Sequence, residues 1–137
     1  MATLTAARNT VEKLDGKIRE IPLPANGIIY AGSLVQIAAS GYAVKGAATA
    51  ANVAVGRAEE TVDNTGGANS AKSIRVKRGI FRFNNSASTD LIGRTEIGKT
   101  VFVVDEETVA KTDNSSARPA AGKCFDVDAQ GVWVEIL

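Results

Sequence analysis

The chain contains no histidine, so the side chain that most often serves as a general base near neutral pH, and most often ligates zinc, is missing. The remaining residues with chemical potential are few. Cys124, in "KCFDV", is the only cysteine; it cannot form an internal disulfide, and nothing in the sequence identifies an activating partner for it. It reads as a buried structural thiol inside a strand. Asp126 and Asp128 share a strand face in "DVDAQG", which has a partial likeness to an acidic metal loop, but the further oxygen ligands and closing glutamate of a calcium loop are missing. They read as turn and solvated-face residues. Asp105, Glu106 and Glu107 stand together where a hairpin tip is expected, and like charges so placed repel unless solvated or paired across an interface. Ser or Cys nucleophiles with a lysine or carboxylate base, and a small hydrolase using carboxylates, are the catalytic classes left, and the missing histidine disfavours them.

Phosphate binding fares no better. "GAATAANVAVG" and "NTGGAN" carry glycines, yet neither forms a GxxxxGK[ST] loop or a GxGxxG turn opening a helix. The stretch "SIRVKRGIFRFNN" sets Arg75, Lys77, Arg78 and Arg82 among apolar residues and raises the question of nucleic-acid binding. Sixteen basic against 15 acidic residues give a net charge of +1, far from the balance of a dedicated nucleic-acid binder. Such a binder also needs aromatic rings beside its arginines, and Phe81 and Phe83 have the opposite parity from Arg82, packing inward. The stripe is therefore expected to face solvent or another subunit. Its alternation slips at Gly79, which predicts a β-bulge. Arg78 then falls on the apolar parity and should have a specific partner, in its own subunit or the next.

These residues need a scaffold, and the punctuation of the chain describes one. Residues 1–16, "MATLTAARNTVEKLDG", lack strand alternation and read as a flexible N-terminal arm with at most a helical turn at Thr10 to Leu14. No basic start followed by an apolar stretch marks a signal peptide, and no run approaches 18 apolar residues, so a cytoplasmic site of synthesis and no membrane are expected. From Lys17 onward, "KIREI", "NGIIYAGSLVQIA", "GYAVKG", "NVAVGRAEE", "SIRVKRGIFRF", "TVFVV" and "KCFDVDAQGVWVEI" are short apolar runs separated by Gly, Asn, Asp and Ser clusters. They predict a single all-β domain over 17–137, a sandwich or barrel of about eight short strands. Phe125 and Val127 should enter the core before a turn at 128–131 that closes on Gly131, with Val132, Val134 and Ile136 entering after it. "TVDNTGGANSAKS" is expected to be a long loop available to partners. Hydrophobic content is 45%, but much of it is alanine and aromatics are only 5%; so thin a core favours further burial against another subunit.

Taken in order, the phrases "AGSLVQIAASGYAVKGAATAANVAVGRAEETVDNTGGA", "IRVKRGIFRFNNSAS", "IGKTVFVVDEETVAKT" and "ARPAAGKCFDVDAQGVWVEI" resemble the small capsid cement, or head decoration, proteins of tailed bacteriophages and prophages. The resemblance runs from about Ile28 to Leu137. It implies a jelly-roll-like β subunit that forms small oligomers, a homodimer or homotrimer, on the outside of a head with the HK97-type shell fold. Its partners would be the major capsid protein and itself, with no nucleic acid and no membrane. Its place would be the virion exterior after synthesis in the bacterial host cytoplasm, and no enzyme activity, metal or cofactor is implied. In that setting Arg75, Lys77, Arg78 and Arg82 on one side, and Asp105, Glu106 and Glu107 on the other, are the candidate partner contacts, opposite charges that set register between subunits. The competing reading is an all-β binding module for carbohydrate or single-stranded nucleic acid; the low aromatic content counts against stacking on either ligand.

Overall fold

A computed structural model describes residues 3–13 and 15–137. The strands are β1 (Ile18–Pro22), β2 (Ile28–Ile29), β3 (Leu34–Ile37), β4 (Ala43–Lys45), β5 (Val53–Ala58), β6 (Val62–Asp63), β7 (Ser73–Lys77), β8 (Gly79–Phe83), β9 (Thr100–Val103), β10 (Val109–Ala110), β11 (Ala120–Asp128) and β12 (Gly131–Ile136). They are more numerous than expected because several apolar runs are cut by a turn into two very short strands. The protein is all-β. Two open five-stranded antiparallel sheets, in the orders β1-β7-β5-β3-β4 and β10-β9-β11-β12-β8, form a sandwich, and β2 and β6 make a separate ribbon. Neither sheet closes into a barrel.

The sheets are segregated along the sequence, the first drawn from residues 18–77 and the second from 79–136. The chain passes from one to the other at Arg78. The slip of alternation at Gly79 is thus not a bulge within one strand, as its pattern implies, but the point where β7 leaves the first sheet and β8 enters the second. A switch of sheets and a bulge share the same sequence signature, because each turns the next side chain to the other face.

Alternation decides the packing. Leu34 joins Phe83, Ile92, Val101, Val103, Val109, Ala121, Cys124, Val132, Val134 and Ile136 in one apolar cluster. Its neighbour Val35 faces the other way, into a second cluster with Ile21, Leu23, Ile29, Val55, Ile74 and Val76 beneath the ribbon. The first sheet is covered on both faces at this point, which is why "LV" reads as a continuous apolar pair. Gln36, fully buried in β3, is satisfied there: its Oε1 accepts the Ala47 N–H at 2.9 Å and an Asn52 Nδ2–H at 2.9 Å, while its Nε2 donates to the Ala47 carbonyl at 3.1 Å.

Two expectations for the connecting segments change. The loop after β5 is braced, since β6 pairs with β2 and the buried Asn64 donates from Nδ2 to the carbonyls of Pro24 and Ala68 at 2.8 and 3.1 Å. In the arm, residues 3–13 are exposed and have no regular secondary structure. The helical turn expected at Thr10 to Leu14 is absent over 10–13, and Leu14 lies outside the described residues.

Candidate interaction surface

The outward face of the second sheet carries two aromatic side chains that the core does not use. In "GVWVEI", Val132, Val134 and Ile136 point into the sandwich, so Trp133 and Glu135 point out. The register then lays out two rungs across three strands, Asp126–Trp133–Arg82 and Lys123–Glu135–Ile80. Between Cys124 and Asp126 the pairing of β11 with β12 slips by one residue, and Phe125 is the extra residue. Cys124 takes the core position and Phe125 is thrown outward, 57% exposed. This overturns the expectation that Phe125 packs inward. Two apolar neighbours cannot both face the core of a strand, and the bulge gives the place to the smaller thiol.

Trp133 is held on two sides. Its Nε1–H donates to Asp128 Oδ2 at 2.9 Å, and the Arg82 guanidinium lies 5.6 Å from its ring centre while Nη1 donates to Gln130 Oε1 at 2.9 Å. Asp128 also ties the hairpin, its Oδ1 accepting the N–H groups of Gln130 and Gly131 at 2.8 and 3.0 Å. The hydrogen bond from Trp133, then that from Gln130, then that from Gly131 and the nearby Arg82 charge hold this carboxyl below its usual range. Ile80, Phe125, Asp126 and Trp133 line a shallow depression of about 420 Å³. The result is a rigid aromatic and aliphatic platform with charged groups along its edges, Arg94 lying 3.7 Å from Asp126 at one of them. A surface of this kind binds by apolar burial and gains selectivity from its rim.

The candidate contacts read from the sequence are not one surface. Arg75 and Lys77 lie on the first sheet, on the face opposite Ile74 and Val76; Arg75 Nε is 3.4 Å from Glu60 Oε2, and half-buried Lys77 lines a depression with Ile18, Arg57 and Glu59. Arg82 belongs to the second sheet and to the Trp133 platform. Arg78, at the crossover, is exposed beside Lys13, Lys17 and Arg19, and its guanidinium makes no hydrogen bond or ion pair among the described residues. Asp105, Glu106 and Glu107 do occupy the turn between β9 and β10, but its backbone is docked against the first sheet and against the residue that follows β8. Leu34 N–H donates to the Glu106 carbonyl at 2.8 Å, Asn84 N–H donates to that of Glu107 at 2.7 Å, and Ala47 pairs with Asp105. Lys45 Nζ stands 3.8 Å from Glu106 Oε1.

Cys124 is not placed to act as a nucleophile. Cys124 is buried, and burial, reinforced by the negative charges of Asp126 and Glu96, pushes its thiol up and keeps it protonated. Among the described residues no three Cys, Asp or Glu side chains are gathered as a metal would need. The residues that sequence reasoning missed are Ile80, Phe125 and Trp133. Strict alternation from Val132 to Ile136 does place Trp133 outward, whereas nothing in "KCFDVD" marks the bulge. Comparison of the chain with protein-family models, with curated proteins and with solved structures finds no match.

Proposed function

We propose that this protein is a structural decoration protein of a tailed-phage head, binding the outside of the expanded shell and bridging neighbouring capsomers. The observation that carries this reading is the outward platform of Ile80, Phe125 and Trp133, preformed on a stiff antiparallel sheet. Placing the anchor residues on strands and fixing Trp133 through Asp128 and Arg82 reduces the ordering cost of docking on a protein surface. The resemblance of the ordered phrases from Ile28 to Leu137 to head decoration proteins points to the major capsid protein as the partner. The work done would be mechanical. A contact made only in the closed shell stabilises that state by mass action, and repetition over many copies multiplies a modest contact into resistance to internal pressure.

One feature favours a second reading. Trp133 and Arg82 share an outward face, contrary to the expectation that no aromatic ring accompanies the arginines, and an aromatic beside a cation is what a stacking site for single-stranded nucleic acid or a sugar uses. Asp126 and Asp128 at the same platform oppose a phosphate backbone, which places protein ahead of nucleic acid. Cosedimentation with empty expanded capsids separates the two. The protein is expected to pellet with capsids at micromolar concentration, and Phe125→Ser to weaken binding about 30-fold, the effect of losing one anchor residue. A protein that stays in the supernatant, yet retards single-stranded DNA in a salt-dependent manner, would refute the decoration reading.

A further inference from the structure

The basic and acidic groups that the sequence separates are placed by the fold at the two ends of one rung of the first sheet. The pairing runs Ile18–Lys77–Arg57–Leu34, and Val35, next to Leu34, pairs with Lys45. At one end β1 is an edge strand, and around it Lys13, Lys17, Arg19 and Arg78, with Leu137, surround a depression of about 510 Å³ in which Glu20 is the one acidic side chain among the described residues. Lys17, Arg19 and Arg78 are exposed, as is Ile18. At the other end, just past the end of β4 and bonded directly to Leu34 of β3, sits the acidic turn. Gly46 lets it lie close: a Cβ there would stand 3.0 Å from the Asp105 carbonyl oxygen and the Glu106 Cα. Its backbone is fixed while the Glu107 side chain remains exposed, beside Tyr30, which is 65% exposed. Five strands at the usual spacing put the two ends about 19 Å apart.

We propose that these two ends are the halves of a head-to-tail contact between copies of this chain, the turn at Glu106 and Glu107, with Tyr30, seating against Lys17, Arg19 and Arg78 of a second copy. Charge complementarity selects this arrangement. A two-fold pairing of like edges would set basic against basic or acidic against acidic, which costs association free energy. A heterologous contact satisfies both ends of every subunit and, where its rotation closes, gives a small ring. It also covers the exposed edge of β1, whose flanking basic residues otherwise serve only to deter unwanted strand pairing.

This inference deepens the decoration reading and rests on it for the role of the oligomer, but its test is made in solution without capsids, so the two fail separately. Sedimentation equilibrium of the purified chain at low salt should show concentration-dependent self-association that weakens as salt is raised. Arg78→Glu, Lys17→Glu and Glu107→Lys should each weaken it about ten-fold, with unchanged circular dichroism because all three side chains are exposed. Combining Arg78→Glu with Glu107→Lys inverts the pair and should restore most of the loss. A chain that is monomeric at its highest soluble concentration, an oligomer indifferent to all three substitutions, or a double variant no better than the singles would each overturn the proposal. Loss of capsid binding with intact self-association would instead count against the decoration reading alone.

Discussion

At the scale of single residues, the buried polar groups are held by local hydrogen bonds and so specify which loop packs where. Gln36 is the strongest case: it lies in the middle of β3, is fully buried, and satisfies Ala47 and Asn52 at once. Gln36→Ala removes those partners and leaves the Ala47 N–H and the Asn52 amide without an acceptor inside the fold. Unsatisfied buried groups of this kind cost about 1–3 kcal/mol. Thermal or urea unfolding should therefore register a loss of about 2–3 kcal/mol for Gln36→Ala once the cavity is included, whereas Phe125→Ser, at an exposed position, should stay within about 0.5 kcal/mol. Equal effects at the two positions would contradict the burial described. The contrast also separates the platform from the core: Phe125 can be removed to test binding without dissolving the fold.

At the scale of elements, the hairpin of β11 and β12 carries the platform, and its turn closes on a glycine that the packing requires. At Gly131 a Cβ would fall 2.4 Å from the Phe83 carbonyl oxygen and 3.0 Å from Arg82 Cγ, so any side chain must push β8 away from the turn. Gly131→Ala is expected to cost about 2 kcal/mol or more through overpacking and backbone strain, and to disturb the Arg82–Trp133 stack, read as altered Trp133 fluorescence; an unchanged spectrum and melting temperature would count against this packing. The same hairpin shows what the sequence made legible. Strict alternation placed Val132, Val134 and Ile136 correctly, and the turn at 128–131 closed where its residue types predict, because period-two patterning and turn chemistry are local properties. The Phe125 bulge and the change of sheet at Arg78 were hidden because each depends on which distant strand lies alongside. The ribbon of β2 and β6 escaped notice for the related reason that two residues are too few to show a period. The surface charges were visible in sequence, but their sorting to opposite edges of one sheet depends on strand order, which no local pattern carries.

At the scale of the whole molecule, four carboxylates fasten separate parts of the sandwich, and each is held below its ordinary range. Thr65 does this for Asp63 and Thr112 for Asp90, helped there by Arg118, whose Nη1 lies 3.2 Å from Asp90 Oδ2. Thr95 and the Gly93 N–H do it for Glu96, and Trp133 with the turn N–H groups for Asp128. A group whose folded pKa is depressed stabilises the native state above its unfolded pKa, and that contribution disappears as pH falls through the folded value. The four act in the same direction, and with no histidine in the chain no side chain of ordinary pKa titrates between about pH 5 and 8. The melting temperature should therefore be nearly flat from neutrality to about pH 5 and fall steeply below about pH 4, where unfolded carboxyls begin to bind protons. Asp90→Asn should lower the melting temperature at pH 7, because half-buried Arg118 loses its counter-charge, and should make the acid slope shallower by removing one titrating group. Trp133 fluorescence, sensitive to its bond with Asp128, should change within the same acid window. A slope unaffected by Asp90→Asn would show that Asp90 titrates alike in the folded and unfolded chains, and the Thr112–Asp90–Arg118 link would then contribute nothing to holding residues 88–90 against the 112–118 segment.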